Sequence, residues 1–184
     1  GLNVGSNIVE VLVTAEAGNT RTYTITVARD KAGQTIFFTH PGNQFTTATL
    51  NLLATGGGSG NPVTFTTSGP ATLTGGNQLS FTGPGSVTVR ANQAGNANYH
   101  PAPEVAHTFT VTVMPASISL GNLTHVYDGQ PKTPTVTTDP AGLAVQIVGG
   151  GSRINAGDYP ITAVVADPRY VGSTGGILVI SQAP

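Results

Sequence analysis

Apolar and polar residues alternate one by one along most of this chain. In Arg21–Arg29, RTYTITVAR, Tyr23, Ile25 and Val27 fall on one face and Thr22, Thr24 and Thr26 on the other. His107–Val113, HTFTVTV, repeats the arrangement, with Phe109, Val111 and Val113 inward. A period of two belongs to a half-buried β-strand, because successive side chains leave a strand on opposite sides. Read this way, strands are predicted over 8–15, 21–29, 35–39, 48–55, 63–67, 79–82, 86–92 and 108–113, and then over 117–120, 135–138, 144–148, 158–166 and 176–181. Gly, Pro and Asn clusters separate them. No window carries a 3.6-residue period with caps, so almost no helix is expected. Short strands at this spacing define an all-β chain of small β-sandwich modules in tandem.

The separators divide the chain. Ala17-Gly18-Asn19 turns the first two strands into a hairpin, since Gly18 or Asn19 can take positive φ. Asp30–Gln34, DKAGQ, is a polar junction, and Met114-Pro115-Ala116 is the next, where proline cannot donate to a ladder. Three parts follow: a hairpin over 1–31, a sandwich over 32–114 and a third β module over 115–184. A hairpin alone is marginal in water. It is therefore expected to pair with or cover the middle sandwich, or a second chain's copy, with one ring of Phe37-Phe38 in the core and the other against the hairpin. The opening at Gly1 in mid-pattern suggests a piece of a longer protein, and Ser181–Pro184 reads as the start of another junction in a tandem array.

Composition narrows the class. Charged residues make up 8% of the 184, and the formal net charge is −1. The seven basic residues are scattered singly, so no stripe exists to follow a nucleic-acid backbone. Strand faces rich in Thr with few charges suit a secreted or cell-surface β protein. Cysteine is absent, which removes disulfides, thiolate metal sites and a cysteine nucleophile together. No run of 18 apolar residues indicates insertion of this stretch in a membrane.

Three resemblances rest on particular residues. Asn3–Asn7 through Val13–Gly18 and Thr22–Val27 resemble the end of a cadherin-like β-sandwich domain of bacterial surface proteins, whose earlier strands would precede this chain. The segment from about Ala32 to Val113, with Gln34-Thr35-Ile36 and Gly95-Asn96-Ala97-Asn98-Tyr99, resembles a bacterial Ig-like repeat. In Pro115–Ala183, Tyr127-Asp128-Gly129, Asn155–Tyr159 and Tyr170-Val171-Gly172 come in the order of the MBG repeat, a β-rich module of tandem surface proteins. The position before Gly149, where that repeat is expected to carry a tyrosine, holds Val148. These resemblances imply a non-catalytic spacer in a bacterial cell-surface or secreted adhesin-like protein, with neighbouring repeats as partners.

Catalytic and metal chemistry find little footing. His40, His100, His107 and His125 form no H-E-x-x-H, no G-x-S-x-G elbow is present, and no acid pair lies in a short motif. His100, Glu104 and His107 suggest a metal site only in outline, because zinc needs three or four convergent ligands. Asp128, Asp139, Asp158 and Asp167 stand apart, without the carboxylate density of a calcium site; Asp158 and Asp167 read as turn formers. No cofactor, metal or enzymatic activity is expected. Gly56–Gly60 and Gly149–Ser152 are read as hairpin connections, since no helix follows to make a phosphate cradle. The candidate binding residues are Tyr99, Tyr127, Tyr159 and Tyr170. Their rings either stack on a glycan or surface protein, or plug sandwich ends with the hydroxyl bonded to backbone.

Overall fold

The computed structural model describes residues 1–183; Pro184, the last residue of the expected terminal junction, lies outside the described residues. No helix occurs among the described residues. The hairpin forms as its pattern predicts, with β1 (Gly5–Thr14) antiparallel to β2 (Thr20–Arg29). Ala15–Asn19 closes it, with Gly18 at φ +83° and its N–H donating to the Ala15 carbonyl at 2.8 Å.

The middle part contains β3 (Phe37–Phe38), β4 (Gln44–Phe45), β5 (Thr49–Asn51), β6 (Ala54–Thr55), β7 (Val63–Ser68), β8 (Ala71–Thr74), β9 (Gln78–Phe81), β10 (Gly85–Gln93) and β11 (Val105–Thr112). One sheet has the order β4-β11-β10-β7, the other β5-β9-β8, and β3 pairs with β6. Between them lies a core in which Val87, Val89 and Ala91 of β10 and Phe109 and Val111 of β11 meet Leu79 and Phe81 of β9. Ile36, Phe38 and Leu52 complete it. On the outer side Thr88 and Thr108 bridge the two long strands through their hydroxyls at 2.8 Å. Alternation thus becomes one dry face and one hydroxylated face, as a sandwich requires.

The last part contains β12 (Met114–Pro115), β13 (Ser117–Gly121), β14 (Thr124–Val126), β15 (Thr135–Asp139), β16 (Val145–Val148), β17 (Gly157–Val165), β18 (Tyr170–Val171) and β19 (Ser173–Ser181). Its sheet β14-β19-β17-β16 faces the pair β13-β15, and Ile118, Ile161, Ala163, Leu178 and Ile180 are buried. The apolar interior is smaller than that of the middle part. Short elements such as β4, β12, β14 and β18 are absent from the sequence reading because two or three residues cannot display a period.

Three expectations need correction. The hairpin does not lay its apolar face on the middle sandwich. Residues opposed across an antiparallel ladder share a face, so Val9, Val11, Val13, Tyr23, Ile25 and Val27 form one apolar side, and the first five are exposed. Phe38 enters the core as expected, but Phe37 is 72% exposed beside Leu53 rather than covered by the hairpin. The Gly56–Gly60 loop is not a hairpin connection: it carries the chain from β6 to β7, strands of different sheets. Gly149–Ser152 does join antiparallel partners, β16 and β17.

Candidate functional site

Tyr99 sits at the end of the middle sandwich nearest the hairpin. Ala32 forms a parallel bridge with it, with Ala32 N–H donating to Asn98 O and His100 N–H donating to Ala32 O, each at 2.9 Å. Its ring packs on Gly58, where a Cβ would lie 2.4 Å from the ring carbon, so only glycine fits beneath the tyrosine. The loop is pinned by two buried glutamines. Gln93 accepts from Gly57 N–H at 2.7 Å and donates to Asn61 O at 2.8 Å. Gln34 accepts from Ser59 N–H at 2.8 Å and donates to His100 O at 2.8 Å. Asn96 adds a donation to Ser59 O at 2.9 Å and accepts from the N–H groups of Asn98 and Tyr99. These side chains satisfy backbone groups of a part-buried loop that has no ladder of its own.

This polar knot went unread, although its signal is present. The inward series Val87, Val89, Ala91 of β10 continues to Gln93, a polar residue in an apolar register. Burying a glutamine without partners is costly, so such a residue implies a local hydrogen-bonding task.

The other three tyrosines divide between two ends of the last part. Tyr159 lies opposite Leu178, and its hydroxyl donates to Asn155 O at 2.9 Å. Arg153 lies over its ring at 5.1 Å and reaches back to the Gly149 carbonyl, tying down the glycine loop. Tyr127 is 40% exposed, its backbone N–H donating to Ser181 O at the same end. Tyr170 pairs with Met114 at the opposite end. The nine residues of β19 run between those ends, about 27 Å at roughly 3.4 Å per residue. Tyr127 and Tyr159 therefore share an end, while Tyr170 faces the joint with the middle sandwich and Tyr99 lies beyond it. The four do not form one platform.

At that joint the connector is part of a ladder. Met114 N–H donates to Arg169 O at 2.9 Å and Ala116 N–H donates to Val171 O at 2.8 Å, while Pro115 between them needs no acceptor. A Cβ on Gly172 would stand 2.2 Å from the Ala116 carbonyl, so β12 approaches β18 as closely as glycine allows. The Asp167 carboxylate accepts from the N–H of Arg169 at 2.9 Å and from its guanidinium at 3.0 Å. Those Arg169 bonds hold the Asp167 carboxyl below its ordinary range and raise the guanidinium above its own. Asp167 is thus the turn former that the sequence suggests. Asp158 is not; it lies within β17, opposite Val179. Asp128 is similarly lowered by Lys132 and by the N–H of Gln130.

His40 and His107 are used structurally. His40 accepts from Gly42 N–H at Nδ1, so its Nε2–H donates to Thr108 O at 3.1 Å. His107 donates from Nε2 to Phe38 O at 2.8 Å, and its ring meets that of His40 at 5.0 Å. Glu104 turns to Arg90 at 3.2 Å, away from the ligand set suggested with His100 and His107. Among the described residues no three His, Asp or Glu side chains are grouped to hold a metal ion.

Paired sheets with alternating inward residues, repeated along one chain, define an all-β protein of tandem sandwich modules. Residues 116–184 match the model of the MBG domain family. The chain is also similar to solved structures at low identity. Drosophila N-cadherin EC1-4 is 10% identical with a TM-score of 0.32, covering 97% of this chain and 58% of that one. Mouse cadherin-23 EC22-24 is 14% identical with a TM-score of 0.35, covering 89% and 71%. A Corynebacterium diphtheriae protein described as membrane anchored is 11% identical with a TM-score of 0.32, covering 97% and 59%. The chain spans less than two thirds of the N-cadherin and Corynebacterium structures. No curated protein matches it.

Proposed function

We propose that this chain is a stretch of non-catalytic structural repeats from a bacterial cell-surface or secreted adhesin-like protein, acting as a spacer that holds distal domains away from the envelope. The observation that supports this most is the joint at Met114–Ala116. Backbone bonds on both sides of Pro115 tie the connector to the next sandwich, which supports limited bending at this joint. In the same reading the parts are 1–31, 32–114 and 115–184, and the hairpin is the closing pair of a further cadherin-like sandwich. Its open apolar side agrees with a two-stranded element that needs a facing sheet. Thr-lined outer faces and a charged fraction of 8% fit an extracellular setting.

Small-angle scattering from the folded chain tests the spacer. An elongated particle with a single well-defined maximum dimension is expected; a compact globule or a broad ensemble of bent shapes overturns it. A second reading, capture of a glycan or surface protein by loop tyrosines, is favoured at one place only, by the exposed ring of Tyr127.

A further inference from the structure

We propose that the Asp167–Tyr170 loop is a plug that docks on the end of the preceding sandwich, and that Thr46 is the positioning residue that locks it at one angle. This rests on the spacer reading and names the contact that would make the spacer stiff. Thr46 lies in the turn between β4 and β5, is 3% exposed, and donates from Oγ1 to the Arg169 carbonyl at 2.6 Å. Its own N–H donates to Thr112 O at 2.9 Å, the last residue of β11 before the connector. Arg169 O thus takes two donors, Met114 N–H from the connector and the Thr46 hydroxyl from the body of the sandwich. The two bonds do different work. A ladder bond at the connector leaves the sandwich free to roll about it, whereas a second bond from a point off that line removes the roll. The carbonyl is held in place from behind, since the Asp167 carboxylate grips the Arg169 N–H and guanidinium and Tyr170 N–H donates to Asp167 O at 3.0 Å. A carbonyl has two lone pairs, so losing the hydroxyl leaves Arg169 O still bonded to Met114 and neither sandwich loses a buried partner. Loosening without unfolding follows.

The chain contains no cysteine, so Thr72→Cys and Thr162→Cys place two spin labels on exposed strand positions, one in each sandwich. With Thr46 intact, pulsed electron paramagnetic resonance should read a narrow distance distribution. Thr46→Val should widen it about twofold or more, and Thr46→Ser, which keeps the hydroxyl, should restore it. A distribution already broad with Thr46 intact defeats the spacer reading itself. One that is narrow with Thr46 and equally narrow with Thr46→Val overturns the latch and leaves the spacer standing. As a check that needs no variant, the unmodified chain should show a slowly exchanging Thr46 hydroxyl proton in its nuclear magnetic resonance spectrum; a hydroxyl exchanging as fast as that of exposed Thr72 also overturns the latch.

Discussion

The strands β2, read as RTYTITVAR, and β11, read as HTFTVTV, carry the same alternation of Thr with large apolar residues and finish in opposite surroundings. Phe109 and Val111 of β11 are 3% and 1% exposed, while Tyr23 and Ile25 of β2 are 48% and 50% exposed. Both strands are fully paired on at least one side, so the ladder does not distinguish them. The difference is a facing sheet. β11 lies across from β9, which presents Leu79 and Phe81, whereas among the described residues no layer covers Val9, Val11, Tyr23 and Ile25. Alternation specifies which side of a strand is to be buried; burial itself requires a second layer, and each apolar side chain that finds one contributes about 1.5–3 kcal/mol. The two joints are fastened to different neighbours: Ala32 to Asn98 and His100 at the polar knot, and Met114 and Ala116 to Arg169 and Val171 of the last part.

The comparison can be broken most sharply at Phe109. Phe109→Ala removes a ring packed at 6.1 Å from that of Phe81 and should cost about 3–5 kcal/mol, read as a lower denaturant midpoint for the middle sandwich. A change under about 1 kcal/mol would show that this core is not what holds the module. Gln93→Leu comes next, since it keeps the volume but strips the part-buried Gly57 N–H of its acceptor. A loss of about 1–3 kcal/mol is expected, with faster amide exchange at Gly57 and Ser59, and unchanged exchange there would remove the knot's structural role. The smallest effect belongs to the hairpin. Ile25→Thr should shift stability by no more than about 0.5 kcal/mol in this chain, because the side chain it replaces has no facing layer. A cost of 2 kcal/mol or more, on the order of a buried aliphatic, would mean that the apolar side of β2 is covered in solution.

Much of the architecture was legible because long strands repeat their period often enough to be seen. The pair β1–β2 follows directly from Thr alternation and its Gly/Asn turn, and the inward Phe109 and Val111 from alternation alone. The tyrosine set was legible as residues but not as a site, since sequence order does not tell which end of a sandwich a loop occupies. Tyr127 and Tyr159 share an end through their relation to β19, while Tyr170 is carried to the joint by pairing with Met114. Gln93 could have been noticed as a polar residue in an apolar register. Thr46 could not, being one threonine among many, and its partner lies 123 positions away.

By itself the sequence determined the strand type, the faces the long strands present, the turn of the first hairpin and the motif order by which the last module resembles the MBG repeat, because these depend on local periodicity, backbone preference and motif order. Tertiary structure alone decided which apolar faces are covered, how Gln34 and Gln93 pin the glycine loop, and how the Thr46 hydroxyl meets the Arg169 carbonyl. Those outcomes depend on long-range apposition of layers and loops, and a period of two contains no information about what stands opposite.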